Sequence, residues 1–97
     1  MSADKSVEVG NTSTLNIGED ASLTSTGASS TSDVTIKLES VITADSLDIT
    51  AGDDAVLQAD SEIIITNNFH MQAATANDCS ISGTATITAG SESGNCL

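Results

Sequence analysis

The chain has 97 residues, 14 of them acidic, against two lysines (Lys5 and Lys37) and no arginine, for a formal net charge of −12. Nucleic-acid binding rests on Lys and Arg neutralising phosphates, so this balance argues against it, and likewise against attachment to anionic membranes through a basic patch. Length sets a ceiling of one domain, and a chain this short buries only about 60–65% of its unfolded surface.

Proline, tryptophan and tyrosine are absent, Phe69 is the one aromatic residue, and Ser and Thr together make 28 of the 97 residues. No run of about 18 apolar residues exists, so no transmembrane helix is expected. The opening Met1-Ser2-Ala3-Asp4-Lys5 lacks the apolar stretch of a secretory signal. Two cysteines, Cys79 and Cys96, are too few for a disulfide framework, and their separation matches no zinc spacing.

Residues 1–6 read as a lead or linker. From Val7 to residue 90 the chain follows a period of eight. Stepping by eight from Val7 meets Leu15, Leu23, Leu47, Ala55, Ile63, Met71, Cys79 and Ile87; stepping from Val9 meets Ile17, Val41, Ile49, Leu57, Ile65, Ala73, Ile81 and Ala89. The residue between the two slots is usually polar, as at Glu8, Asn16, Asp48 and Gln72. Alternation of period two is the strand signal, and its recurrence at fixed spacing means stacked, equivalent rungs. Helix is disfavoured, because the apolar spacing is two and eight rather than three and four. Gly10, Gly18 and Gly90 share one phase, where glycine would let the backbone turn with positive φ.

Within this run, residues 24–46 form an irregular insertion. Gly27–Ser32 reads as a loop, and Val34-Thr35-Ile36-Lys37-Leu38 alternates on even numbers, out of phase with the rest. Leu47 and Ile49 restore the phase. Residues 91–97 read as a C-terminal tip or tail.

A strand of about five residues plus a short corner is too little for a whole solenoid coil, which takes roughly 16–24 residues. Octads can fill such a coil three at a time, giving a single-chain β-solenoid. They can also build an intertwined triple-stranded β-helix, a β-prism rod in which each of three chains supplies one face. Either way the fold is all-β, the two apolar slots point inward and the connectors face water. The trimer gains a core that one small acidic chain makes with difficulty.

The run Val7-Glu8-Val9-Gly10-Asn11-Thr12-Ser13-Thr14-Leu15-Asn16-Ile17-Gly18 resembles the octapeptide repeat of the central, membrane-piercing spike proteins of contractile phage tails and of type VI secretion spikes. Ile42–Asp53 looks like the more degenerate rungs of the same family. The resemblance implies a homotrimer at the phage tail tip, a virion component that acts outside the host cell. It would be mounted on baseplate or tube hub proteins or carry a tip-capping protein, and would touch the host outer membrane transiently as it is driven through. Such spikes usually carry a barrel domain before the β-helix, and none fits before Val7. Many end in a His-x-His pair that binds iron, whereas here the only histidine, His70, is followed by Met71 and Gln72, so no metal site is carried over. A second resemblance covers Ile63–Ala73, which is similar to a signature of short coat-hanger β-solenoid modules on bacterial surface proteins. It implies a surface or adhesive module instead.

The residues expected to carry the core, and in a trimer the contacts between chains, are Val7, Val9, Leu15, Ile17, Leu47, Ile49, Leu57, Ile63, Ile65, Met71, Ile81 and Ile87. No catalytic residue, cofactor or metal ligand is expected. His70 lies on the outward phase and reads as solvated. Asp45, Asp53, Asp54 and Asp60 read as a solvated acidic face, since nothing matches a calcium-loop spacing. Cys79 falls in an inward slot and reads as a small buried hydrophobe, and Cys96 as a free thiol in a frayed end. Phe69 is expected to fill a wide spot in the core. Thr84, Thr86 and Thr88 recur like an ice-binding face, but the array does not continue into the next rung. No nucleophile-elbow motif accompanies His70, and an enzyme is not expected.

Overall fold

In the computed structural model, which describes residues 1–97, the period of eight becomes a coil with three strands per turn. The first turn holds β2 (Val7–Val9), β3 (Thr14–Asn16) and β4 (Asp20–Ser25). The second holds β5 (Val34–Ile36), β6 (Val41–Ala44) and β7 (Ser46–Thr50). The third holds β8 (Ala55–Leu57) and the long β9 (Glu62–Gln72), which supplies two sides, and the fourth holds β10 (Cys79–Ile81) and β11 (Thr86–Ser93) in the same way. A short strand β1 (Ser2–Ala3) lies ahead of them and pairs with β4, so the N-terminal lead belongs to the sheet. Every strand pair is parallel and joins one turn to the next: β2–β5–β8–β10 on one side, β3–β6–β9–β11 on the second, β4–β7–β9–β11 on the third. The chain is therefore an all-β, solenoid-like stack of about four turns. Val7, Val34, Ala55 and Cys79 are register partners spaced 27, 21 and 24 residues apart, so a mean turn is three octads.

Burial follows the register. Columns of inward residues run up the stack, among them Val9–Ile36–Leu57–Ile81, Leu15–Ile42–Ile63–Ile87 and Leu23–Ile49–Met71. Seventeen buried apolar residues form one cluster. Val7, Val9, Leu47, Ile49, Leu57, Ile63, Ile65 and Met71 belong to it, while Leu15, Ile17 and Ile87 pack against it half-buried. Ile81 departs from expectation. It occupies an inward slot but is 37% exposed, because its rung is the last of its column and nothing stacks beyond it. Phe69 is fully buried above Leu47, and the next position of that column is Glu92, a charge where the earlier turns have apolar residues.

The even-numbered strand is not an interruption of the core. Val34, Ile36, Ile42 and Ala44 are all buried. The 27-residue second spacing is odd and flips the parity, and the 21-residue third flips it back. Within 24–46 the irregular part is the connection between β4 and β5, which holds Gly27–Ser32; the rest is strand and corner. At the far end, β11 continues through Ser93, so residues 91–93 extend the sheet rather than forming a loose tip.

Two corners set the cross-section. Between the first and second sides the backbone passes through left-handed conformations at Thr12 (φ 56°), Glu39 (61°) and Asp60 (60°), not at the glycines expected to turn the chain. Each lies in a four-residue turn closed by a backbone hydrogen bond, Ser13 N–H to Gly10 O, Ser40 N–H to Lys37 O and Ser61 N–H to Gln58 O. The turn type demands φ > 0 at its third residue, and this chain spends a side chain there three times. Ser40 and Ser61 are buried behind these turns and donate to Gly10 O (2.7 Å) and Gln58 O (2.8 Å). At the corner between the third and first sides, Gly27 and Gly52 let successive turns touch. A Cβ on Gly52 would lie 1.7 Å from the Gly27 carbonyl oxygen.

The C-terminus folds back over the last rung. Asn95 both donates to Ala73 O and accepts from Ala73 N–H through its side-chain amide (2.9 Å each), and the Cys96 N–H reaches Met71 O. Cys96 is then joined to Cys79 in a disulfide with Cα atoms 5.4 Å apart. This corrects the reading of two independent thiols. Cys79 opens the fourth turn, and the returning hook brings Cys96 back to it.

Candidate functional site

The only depression of any size lies on the outer face of the third side. It encloses roughly 400 Å3 and is lined by Asp20, Ser22, Ser46, Asp48, Asn68 and His70, with Ala21 and Leu47 beneath. These positions follow from the pleat: side chains alternate faces, and partners in parallel register stack at ~4.8 Å. Asp20 pairs with Ser46, Ser22 with Asp48, Asp48 with His70, and His70 with Ser93. The result is two outward columns of polar groups running along the stack.

A hydrogen-bond chain holds the upper half of this surface. Ser91 Oγ donates to Asn68 Oδ1 (2.9 Å), Asn68 Nδ2 donates to Ser93 Oγ (3.2 Å), and Ser93 Oγ lies 3.0 Å from His70 Nδ1. Asp48 Oδ1 accepts from the Thr50 hydroxyl at 2.7 Å. Ser93, His70 and Asp48 thus occupy three successive rungs. In a hydrolytic triad the serine bonds Nε2 and the carboxylate Nδ1. Here serine holds Nδ1, the reverse arrangement.

A second cluster sits at the corner beside Gly52. Carboxylate oxygens of Asp33, Asp53 and Asp54 lie within 4.8 Å of one another on half-buried residues. Asp33 Oδ1 accepts the Asp54 N–H at 3.1 Å. Burial first, then the negative charges of Asp53, Asp33 and Asp78, hold the Asp54 carboxyl above its ordinary value. Asp33, Asp54 and Asp78 each immediately precede the first strand of their turn, so the coil stacks them at one corner. Three carboxylates suit a hard cation or a shared proton, though a calcium ion takes six to eight oxygens.

Of the residues singled out in the sequence, His70 is on the outer face, half-buried beside Ser93. Asp53 and Asp54 come together, while Asp45 and Asp60 lie apart from them: the Asp45 N–H bonds Glu19 O, and the Asp60 N–H bonds Thr84 Oγ1. The threonines do not form a flat array, since Thr86 stacks on Glu62 and Thr88 on Ile64. Asp33, Asp20, Asp48 and Asn68 were not singled out as site residues. The signal that reveals them is the register of about 24 residues, not the octad, because only the whole turn brings a residue back to the same corner. No helix is long and apolar enough to cross a membrane. Compared with family models, curated proteins and solved structures, the chain matches none.

Proposed function

We propose that the chain is a structural β-solenoid module of an extracellular surface or adhesive protein. The observation that carries this reading is that every strand pair runs between successive turns of one chain, so 17 buried apolar residues find their partners without a second chain. The Cys79–Cys96 disulfide supports an oxidising compartment, where such bonds persist. The acidic, hydroxyl-rich exterior supports a role in water. Four rungs at ~4.8 Å make a stack only about 14 Å between its first and last strands, which suits a spacer or display platform better than a needle.

A second reading is kept on one observation, the octad phase that fills the inward slots from Val7 to Ile87. That phase serves equally an intertwined homotrimer, a tail spike of a contractile phage in which strand hydrogen bonds would run between chains. Its partners would be baseplate or tube hub proteins or a tip cap, and its target the host cell envelope.

Light scattering after size exclusion separates the two. A folded species at 9.7 kDa is the expected result. A species at three times that mass, about 29 kDa, with elongated elution, would replace the module with the spike.

A further inference from the structure

The outer face of the third side is more than a solvated surface, because its hydrogen-bond chain fixes the state of one group. Ser93 Oγ accepts from Asn68 Nδ2, so its own hydrogen is free to donate to His70 Nδ1. Asn68 is itself oriented by the Ser91 hydroxyl on its Oδ1. In the neutral ring this leaves the proton on Nε2, with no protein acceptor bonded to it. The depression therefore offers one N–H donor, two carboxylates in Asp20 and Asp48, and the hydroxyls of Ser22 and Ser46.

The lining selects by charge and chemistry. It contains no lysine or arginine to hold an anion and no aromatic ring to stack a flat apolar group. Its carboxylates and imidazole do not converge as the Asp33 corner does, which is the only set of three such groups within 4.8 Å. What it does match is a vicinal diol. One hydroxyl donates to a carboxylate while its neighbour accepts from the imidazole N–H. The pattern recurs along the stack at ~4.8 Å, about the length of one sugar ring. We propose that this face binds a neutral glycan chain lying along the coil axis, with Asp48 and His70 gripping adjacent hydroxyls and Asp20 and Ser46 a further ring. Ser93 and Asn68 are positioning residues for His70. The proposal rests on the single-chain coil, which stacks these columns.

The test uses the intact, disulfide-bonded chain, labelled with 15N and titrated in EDTA with maltohexaose, cellohexaose, chitohexaose, mannohexaose and dextran. With at least one probe, saturable amide shifts are expected, confined to Asp20–Ser22, Ser46–Asp48 and Asn68–His70. His70→Ala and Asp48→Asn, both on the outer face, should keep the fold and weaken binding at least tenfold. Absence of saturable shifts with all five probes, shifts that persist in both variants, or shifts lost on adding EDTA would each overturn direct recognition. The mass of the same sample judges the coil separately: a 9.7 kDa chain that ignores every probe removes the glycan and leaves the module.

Discussion

Cys79 and Cys96 are joined across the end of the coil, the first strand of the last turn to the hook that covers Met71 and Ala73. Closing a loop of this separation removes denatured-chain entropy worth about 3 kcal/mol. Cys96→Ser is expected to lower the urea-unfolding free energy by about that amount, and dithiothreitol to do the same to the parent chain. A parent chain equally stable with and without reductant would show that the hook contributes nothing.

Gly52→Ala should be among the most damaging single-methyl changes. The new Cβ meets the Gly27 carbonyl at 1.7 Å and Ser32 Cβ at 3.1 Å, and backbone on both sides must move. A loss of about 3 kcal/mol is expected from overpacking. Gly18→Ala is the control: nothing lies within 4 Å and its φ is ordinary, so it should be neutral or stabilising by a few tenths.

Glu39→Gly is expected to raise the melting temperature. Its φ of 61° strains any L side chain, by ~1 kcal/mol or more. Gly forfeits part of that gain through the freer unfolded chain. Thermal scans of Glu39→Gly and Glu39→Ala separate the two contributions, since alanine keeps the strain.

Acidity should favour the Asp33–Asp53–Asp54 corner. Asp54 is held above its ordinary carboxyl value of 3.8, so the native state binds its proton more tightly than the unfolded chain does. Stability from this group is therefore complete below pH 3.8 and is lost as pH rises through the higher folded value. The urea midpoint of Asp54→Asn, minus that of the parent, should grow between pH 4 and pH 7. A flat difference would mean the corner charges are screened or neutralised by a bound cation, which a calcium titration would reveal.

Ile49→Asp places a carboxylate in a slot that is 1% exposed, between Leu23 and Met71 with no polar partner in the column. An isolated buried charge is costly enough to prevent folding. Circular dichroism at neutral pH should show loss of the β signal. A folded variant of unchanged stability would sink the inward assignment of this column.

The inward parity of Val7, Val9, Leu47, Ile49, Leu57, Ile63, Ile65 and Met71 was legible because period two and period eight are local properties of the chain. The core role of Val34, Ile36, Ile42 and Ala44 was harder to see, since a 27-residue turn moves every later side chain to the other parity until a 21-residue turn moves it back. Turn length is set at the corners, where hydrophobic pattern carries no signal. The same missing quantity hid the disulfide and the Asp33 corner. Cys79 and Cys96, or Asp33 and Asp54, are neighbours only after the coil has closed. The exposure of Ile81 belongs to no local pattern either. It reflects which rung is last.

The corner between the first and second sides has a fixed span: Val9 to Leu15, Ile36 to Ile42, Leu57 to Ile63 and Ile81 to Ile87 are each six residues apart. Between the third and first sides the span is free to vary, as the long β4–β5 connection around Gly27–Ser32 shows. Insertions and deletions are therefore filtered by place. Those at the first corner survive only as whole turns, by duplication or loss of a rung at a time. The second corner is where a lineage can splice in foreign sequence, or an engineer an epitope, without shifting a single side chain from inside to outside.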